Sequence, residues 1–179
     1  MAGTVGGYLF GYFNGRAERT HGERLARAAR LHEQRVDLYA EVAALLQRDK
    51  DFLYTTEAMA TLFPRPEPPQ YQPQRAKDVW RAVDGRVRVV GSEPVSNAVS
   101  RAQIAVRKFE LSVQDYRDML ASQADDLIAA TSDEERERIR TTRPAGFGTA
   151  AERVNQTRND ASALIDKAHS VMREELAGL

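Results

Sequence analysis

The sequence predicts an all-α protein of long helices packed as an elongated antiparallel bundle or coiled coil, preceded by a short hydrophobic segment. Two long stretches carry apolar residues at heptad spacing, the pattern of helices that share a seam. Alanine supplies 26 of the apolar residues, so bulky core formers are thin and narrow seams suit the composition better than one thick core. The one run that alternates with period two has no partner run to pair with, and a lone strand is not viable.

Residues 1–15 contain no charged side chain, and Gly3, Gly7, Gly11 and Gly15 recur every four residues among Tyr8, Leu9, Phe10, Tyr12 and Phe13. Glycine costs about 1 kcal/mol per helix position in water, whereas small residues at this spacing form the faces of closely packed membrane helices. Fifteen helical residues reach about 22 Å, short of the roughly 30 Å of hydrocarbon in a bilayer. Three readings stay open: a loosely packed tail, the end of a membrane span whose true start lies upstream of Met1, and a re-entrant or peptide-binding segment. Positive charges follow the apolar run, the reverse of a signal peptide. Residues 16–35 carry six arginines and three glutamates, a basic flank of the kind that marks the cytoplasmic side of a span. The expected location is cytoplasmic, with residues 1–15 as an attachment to the inner face of the cell membrane.

The first long helix is expected over 16–63. Leu25, His32, Tyr39, Leu46 and Leu53 lie seven apart, and Leu31, Leu38, Leu45 and Phe52 run beside them. Pro64 ends it. Residues 64–75 begin with five of the seven prolines and read as a stiff extended linker. Its Pro66-x-x-Pro69 matches the minimal pattern docked by aromatic-groove domains, a match common by chance.

The remaining body, 76–179, divides into helices at about 76–90, 92–131, 133–140 and 149–177. Gly91 stops the first of these, and Ser92 with Pro94 starts the next. In helix 92–131, Val99, Val106, Val113, Leu120 and Leu127 share one heptad position, while Ala102, Phe109, Tyr116 and Gln123 share the complementary one. Ser132-x-x-Glu135 and Thr149-x-x-Glu152 read as capping boxes that open the last two helices. Charge then suggests an orientation. The first helix is basic early and acidic late, helix 92–131 is also basic early and acidic late, and an antiparallel pairing sets opposite signs together.

The turn Val87-Arg88-Val89-Val90-Gly91-Ser92-Glu93-Pro94-Val95, together with the glycine-rich start and the Arg/Glu-rich helix after it, resembles a group of uncharacterised helical proteins of GC-rich bacteria. The excess of arginine over lysine, 22 to 4, fits such a genome. The resemblance implies a membrane span near the N-terminus and a helical body on the cytoplasmic side, and it transfers no activity and no functional residue.

Little in the sequence points to catalysis. There is no cysteine, hence no thiol nucleophile or thiolate metal site. His32-Glu33 begins like a zinc-protease motif, but Val36 stands where the second histidine belongs. Gly91-Ser92 lacks the flanking glycines of a nucleophile elbow, and no phosphate-binding loop occurs. Glu18-x-x-His21 and Asp166-x-x-His169 echo the acidic-x-x-His pairs of di-iron bundles, yet both read as solvated faces. Net charge is zero, which gives no general pull toward nucleic acid. The sequence therefore predicts a non-enzymatic interaction or scaffold protein without cofactor, metal or small-molecule substrate. It is tethered at its N-terminus or, as the alternative, is a soluble bundle module that binds a protein partner or self-associates.

Overall fold

A computed structural model describes residues 4–62, 77–142 and 146–178, with side-chain surroundings for 21–56, 78–142 and 146–178. The described residues form five helices: α1 Thr4–Leu62, α2 Lys77–Val90, α3 Glu93–Ala129, α4 Asp133–Thr141 and α5 Phe147–Ala177, with short turns between α2 and α3 and between α3 and α4. The proline-rich linker 64–75 and Gly3 lie outside the described residues, as do the surroundings of Gly7, Gly11 and Gly15. The backbone of α1 nevertheless begins at Thr4, so the uncharged segment and the arginine-rich stretch belong to one unbroken helix.

The seams predicted from heptad spacing supply one continuous core. Tyr39, Leu46 and Leu53 of α1 meet Val99, Val106, Phe109 and Val113 of α3, with Trp80, Val83 and Val87 of α2 and Ala161, Ile165 and Met172 of α5. Burial of these side chains drives the packing, each large aliphatic contributing about 1.5–3 kcal/mol on transfer from water. The most extensive contact is between α3 and α5. Small residues at Ala102, Ala105, Ala161 and Ala168 line it, all buried, and let the two helices approach closely.

Chain direction follows from the cross-links. Glu41 of α1 binds Arg86 at 2.6 Å and Asp49 accepts from Trp80 Nε1 at 3.0 Å, so α1 and α2 are antiparallel. Ser112 meets Thr157 at 2.7 Å and Tyr116 packs on Phe147 with centroids 5.3 Å apart, so α3 and α5 are antiparallel. Tyr39 of α1 touches Ser92 at the start of α3, and Phe52 packs edge-on against Phe109 at 6.4 Å. Hence α1 and α3 run parallel. The antiparallel pairing expected from charge is overturned, and the reason is register. The basic half of α1 extends past the body, so its acidic half lies beside the basic start of α3 in a parallel arrangement. Charge complementarity survives with the direction reversed.

Three further expectations need correction. Leu25, assigned to the core seam, is 58% exposed, because none of the other described helices reaches that turn of α1. Tyr116, Leu120 and Leu127 are only half-buried. The end of α3 meets the first turns of α5 and the charged α4, which buries no residue of its own. The last helix starts at Phe147 and not at the Thr149 box. Gly146 takes the left-handed conformation at φ 85°, and Phe147 is drawn into the helix by its contact with Tyr116. The other start signals hold. Ser92 caps α3 by accepting from Val95 N at 3.3 Å, and Ser132 caps α4 by accepting from Glu135 N at 3.1 Å.

Candidate interaction surface

The body ends partway along α1. The last turn of α5 and the α2–α3 turn both reach the level of Arg35 and Tyr39, and four side chains clasp the three elements together there. Tyr39 donates its hydroxyl hydrogen to Glu175 Oε1 at 3.0 Å and accepts from Ser92 N at 3.2 Å. Ser92 donates its hydroxyl to Glu175 Oε2. Arg35 forms an ion pair with Glu175 Oε1 at 2.9 Å, while its Nε donates to Val90 O at 3.0 Å. The clasp thus satisfies both oxygens of Glu175 and a carbonyl at the end of α2. Burial pushes the Tyr39 hydroxyl above its ordinary pKa, and the neighbouring Glu175 carboxylate adds to the shift while the Ser92 amide opposes it.

Beyond the clasp the described side chains of α1 leave the body. Among residues 21–34 only His32 is even half-buried; every other side chain is exposed. From Thr4 to Arg35 the helix projects about 45 Å at 1.5 Å per residue. This arm carries Leu25 and Leu31, 58% and 41% exposed, and ends at Val36, 40% exposed. The sequence placed Leu25 in a seam, and the heptad pattern that suggested this does continue into the arm, where none of the described helices covers it.

At the base of the arm an open groove of about 690 Å³ lies between α1 and α5, floored by Ala40, Ala43 and Met172 and rimmed by Asp166, His169 and Arg173. Asp166 pairs with Lys50 at 2.7 Å, and His169 Nε2 lies 3.3 Å from Ala43 O. His169 is therefore half-buried against α1, whereas Asp166, 58% exposed, lies on the solvated face that the sequence predicts. A second groove of about 410 Å³ runs between α3 and α5 beside the exposed Ile104. Among the described residues there is no group of three or more His, Cys, Asp or Glu side chains that could hold a metal. Among them, too, no helix is long and apolar enough to cross a membrane.

The clasp itself was missed by sequence reasoning. Ser92 was recognised only as a helix cap, Tyr39 only as a seam residue, and nothing local marks Arg35 or Glu175 among many exposed charges. A helical body with one helix extended far beyond it is the class of architecture these observations define. Comparison with models of known families, with curated proteins and with solved structures finds no match for the chain.

Proposed function

We propose that this is a non-enzymatic helical interaction or scaffold protein, an elongated antiparallel bundle that holds out the front of α1 as a binding arm. The exposed arm is the observation that carries the reading. An isolated helix is marginal in water, and this one keeps Leu25 and Leu31 exposed among the described residues. Its stretch 16–35 is net basic by three charges, so the surface offered is mixed apolar and cationic. Hydrogen exchange read by mass spectrometry tests the idea. Amides of 21–34 should exchange fast in dilute protein and slow down at high concentration or in host cell extract. Fast exchange under every condition would remove the binding role.

Attachment of residues 1–15 to the inner face of the cell membrane belongs to the same proposal. It is supported by the continuity of α1, which carries an uncharged, aromatic-rich segment at the far end of a basic arm. Flotation of the full chain with phosphatidylcholine vesicles and with vesicles containing phosphatidylglycerol tests it. Flotation with either kind supports the tether, and recovery of all the protein at the bottom of both gradients would discard it.

A further inference from the structure

We infer that the occupant of the arm and of the α1–α5 groove is a second copy of this chain, with the two α1 helices antiparallel about a two-fold axis at Val36. The inference rests on the interaction reading above and names its partner.

One face of α1 supports this. Leu25, Ala29, His32, Val36, Ala40 and Ala43 fall within a narrow stripe at three- and four-residue spacing, running from the arm directly into the groove. Leu25, Ala29, Val36 and Ala40 are exposed and His32 and Ala43 half-buried, while from Leu38 onward an adjoining face of the helix is buried in the body. In an antiparallel pair centred on Val36, Leu25 falls opposite Gln47, Ala29 opposite Ala43 and His32 opposite Ala40. Ala29 and Ala43 then meet as small residues and His32 faces Ala40, which lets the helices approach closely near the axis, while Leu25 packs along the aliphatic part of Gln47. Such a contact is isologous, so each arm fills the other copy's groove and the assembly closes as a dimer.

Charge selects this direction and this partner. Residues 21–35 carry four arginines against two glutamates; in residues 36–51 Asp49 is buried against Trp80, which leaves Asp37, Glu41 and Asp51 against Arg48 and Lys50, a net negative stretch. An antiparallel pair sets the net positive stretch of each copy beside the net negative stretch of the other. A parallel pair would set like beside like at both ends. At the clasp Arg35 pairs with Glu175, while Arg24, Arg27 and Arg30 are exposed. A second copy provides acidic side chains beside these arginines.

The absence of cysteine makes the geometry directly testable in the full-length protein. Sedimentation over a concentration series should show a monomer–dimer equilibrium. Val36→Cys should crosslink to itself with a short bis-maleimide, because the axis brings the two copies of that position together. Leu25→Cys alone should not, whereas an equal mixture of Leu25→Cys and Gln47→Cys chains should give a heterodimer. Val36→Asp, at a half-exposed position, should keep the helical circular dichroism of the parent and weaken the dimer at least about 100-fold. Self-crosslinking of Leu25→Cys would overturn the antiparallel arrangement. A monomer at every concentration would overturn self-pairing altogether. If cell extract still protected residues 21–34 in that case, the interaction reading would stand and only the second copy would be lost as partner.

Discussion

Leu46 and Arg48 sit two positions apart on α1, and the core separates them completely: Leu46 is fully buried, Arg48 exposed. Leu46→Asp places an unpaired charge among Val106 and its neighbours and should cost about 3–5 kcal/mol, a large share of the roughly 5–15 kcal/mol that holds a domain of this size. Arg48→Asp should change the melting temperature little. Thermal melts followed by circular dichroism compare the two. Trp80 offers a second test, since its indole donates to Asp49, which is only 2% exposed. Trp80→Phe keeps an aromatic ring in the core but removes that donor and leaves a small gap, and should cost at least about 1.5–3 kcal/mol in denaturant unfolding. Tyr39 gives a pH signature. Its pKa is raised in the folded state, so the hydroxyl stays protonated where an unfolded tyrosine, near 10, would ionise. Its contribution to stability is therefore complete below about pH 10 and is lost as pH rises from there through the folded pKa. Tyr39→Phe should flatten that alkaline loss.

At the level of the helices, the sequence was legible wherever a signal acts on its own neighbours. Pro94 and Ser92 start α3, and Ser132 starts α4, because a cap side chain needs only the next turn of backbone. The short run Arg86-Val87-Arg88-Val89 could be read as a strand or a helix turn by turn, and the missing partner strand decided correctly for helix. The Thr149 box failed for a non-local reason: Phe147 finds Tyr116 across the α3–α5 contact and extends the helix past the cap. Gly91 closes the α2–α3 turn that the clasp holds. A Cβ at that position would fall 2.5 Å from Val87 O, too close to a backbone atom to relieve by a rotamer change. Gly91→Ala should therefore destabilise by about 1–3 kcal/mol and loosen Ser92 from Glu175. Loss of amide protection at the start of α3 would report it.

For the molecule as a whole, heptad spacing identified which faces are apolar and could not say which helix covers them. Leu25 and Leu46 occupy the same heptad position, yet one is exposed and the other buried, because the chain's other helices stop at Arg35. Direction was likewise illegible: the charge pattern constrains sums along a segment, and a shift in register satisfies it with the helices running either way. The candidate surface was legible as an apolar stripe but was assigned to the interior. The clasp was not legible at all, since its members are separated by up to 140 positions, from Arg35 to Glu175. Limited trypsin digestion checks the division between arm and body. In dilute protein, cleavage after Arg24, Arg27 and Arg30 should precede cleavage after Arg101 and Arg107, which lie on a helix packed along much of its length.

The single-piece construction of α1 also has a mechanical meaning. The arm and the central core helix are one rod of 59 residues with no joint between them. A load applied at the tip enters the body at the Arg35–Glu175 clasp. Because α5 runs antiparallel to α1, tension along the rod acts on the α1–α5 seam in shear, engaging its contacts together and not one after another as unzipping would. A sideways push on the tip instead works through a lever roughly 45 Å long and concentrates torque on the few polar links of the clasp. The protein is thus stiff along the arm's axis and compliant across it, so pulling on the arm and bending it should give very different unfolding forces.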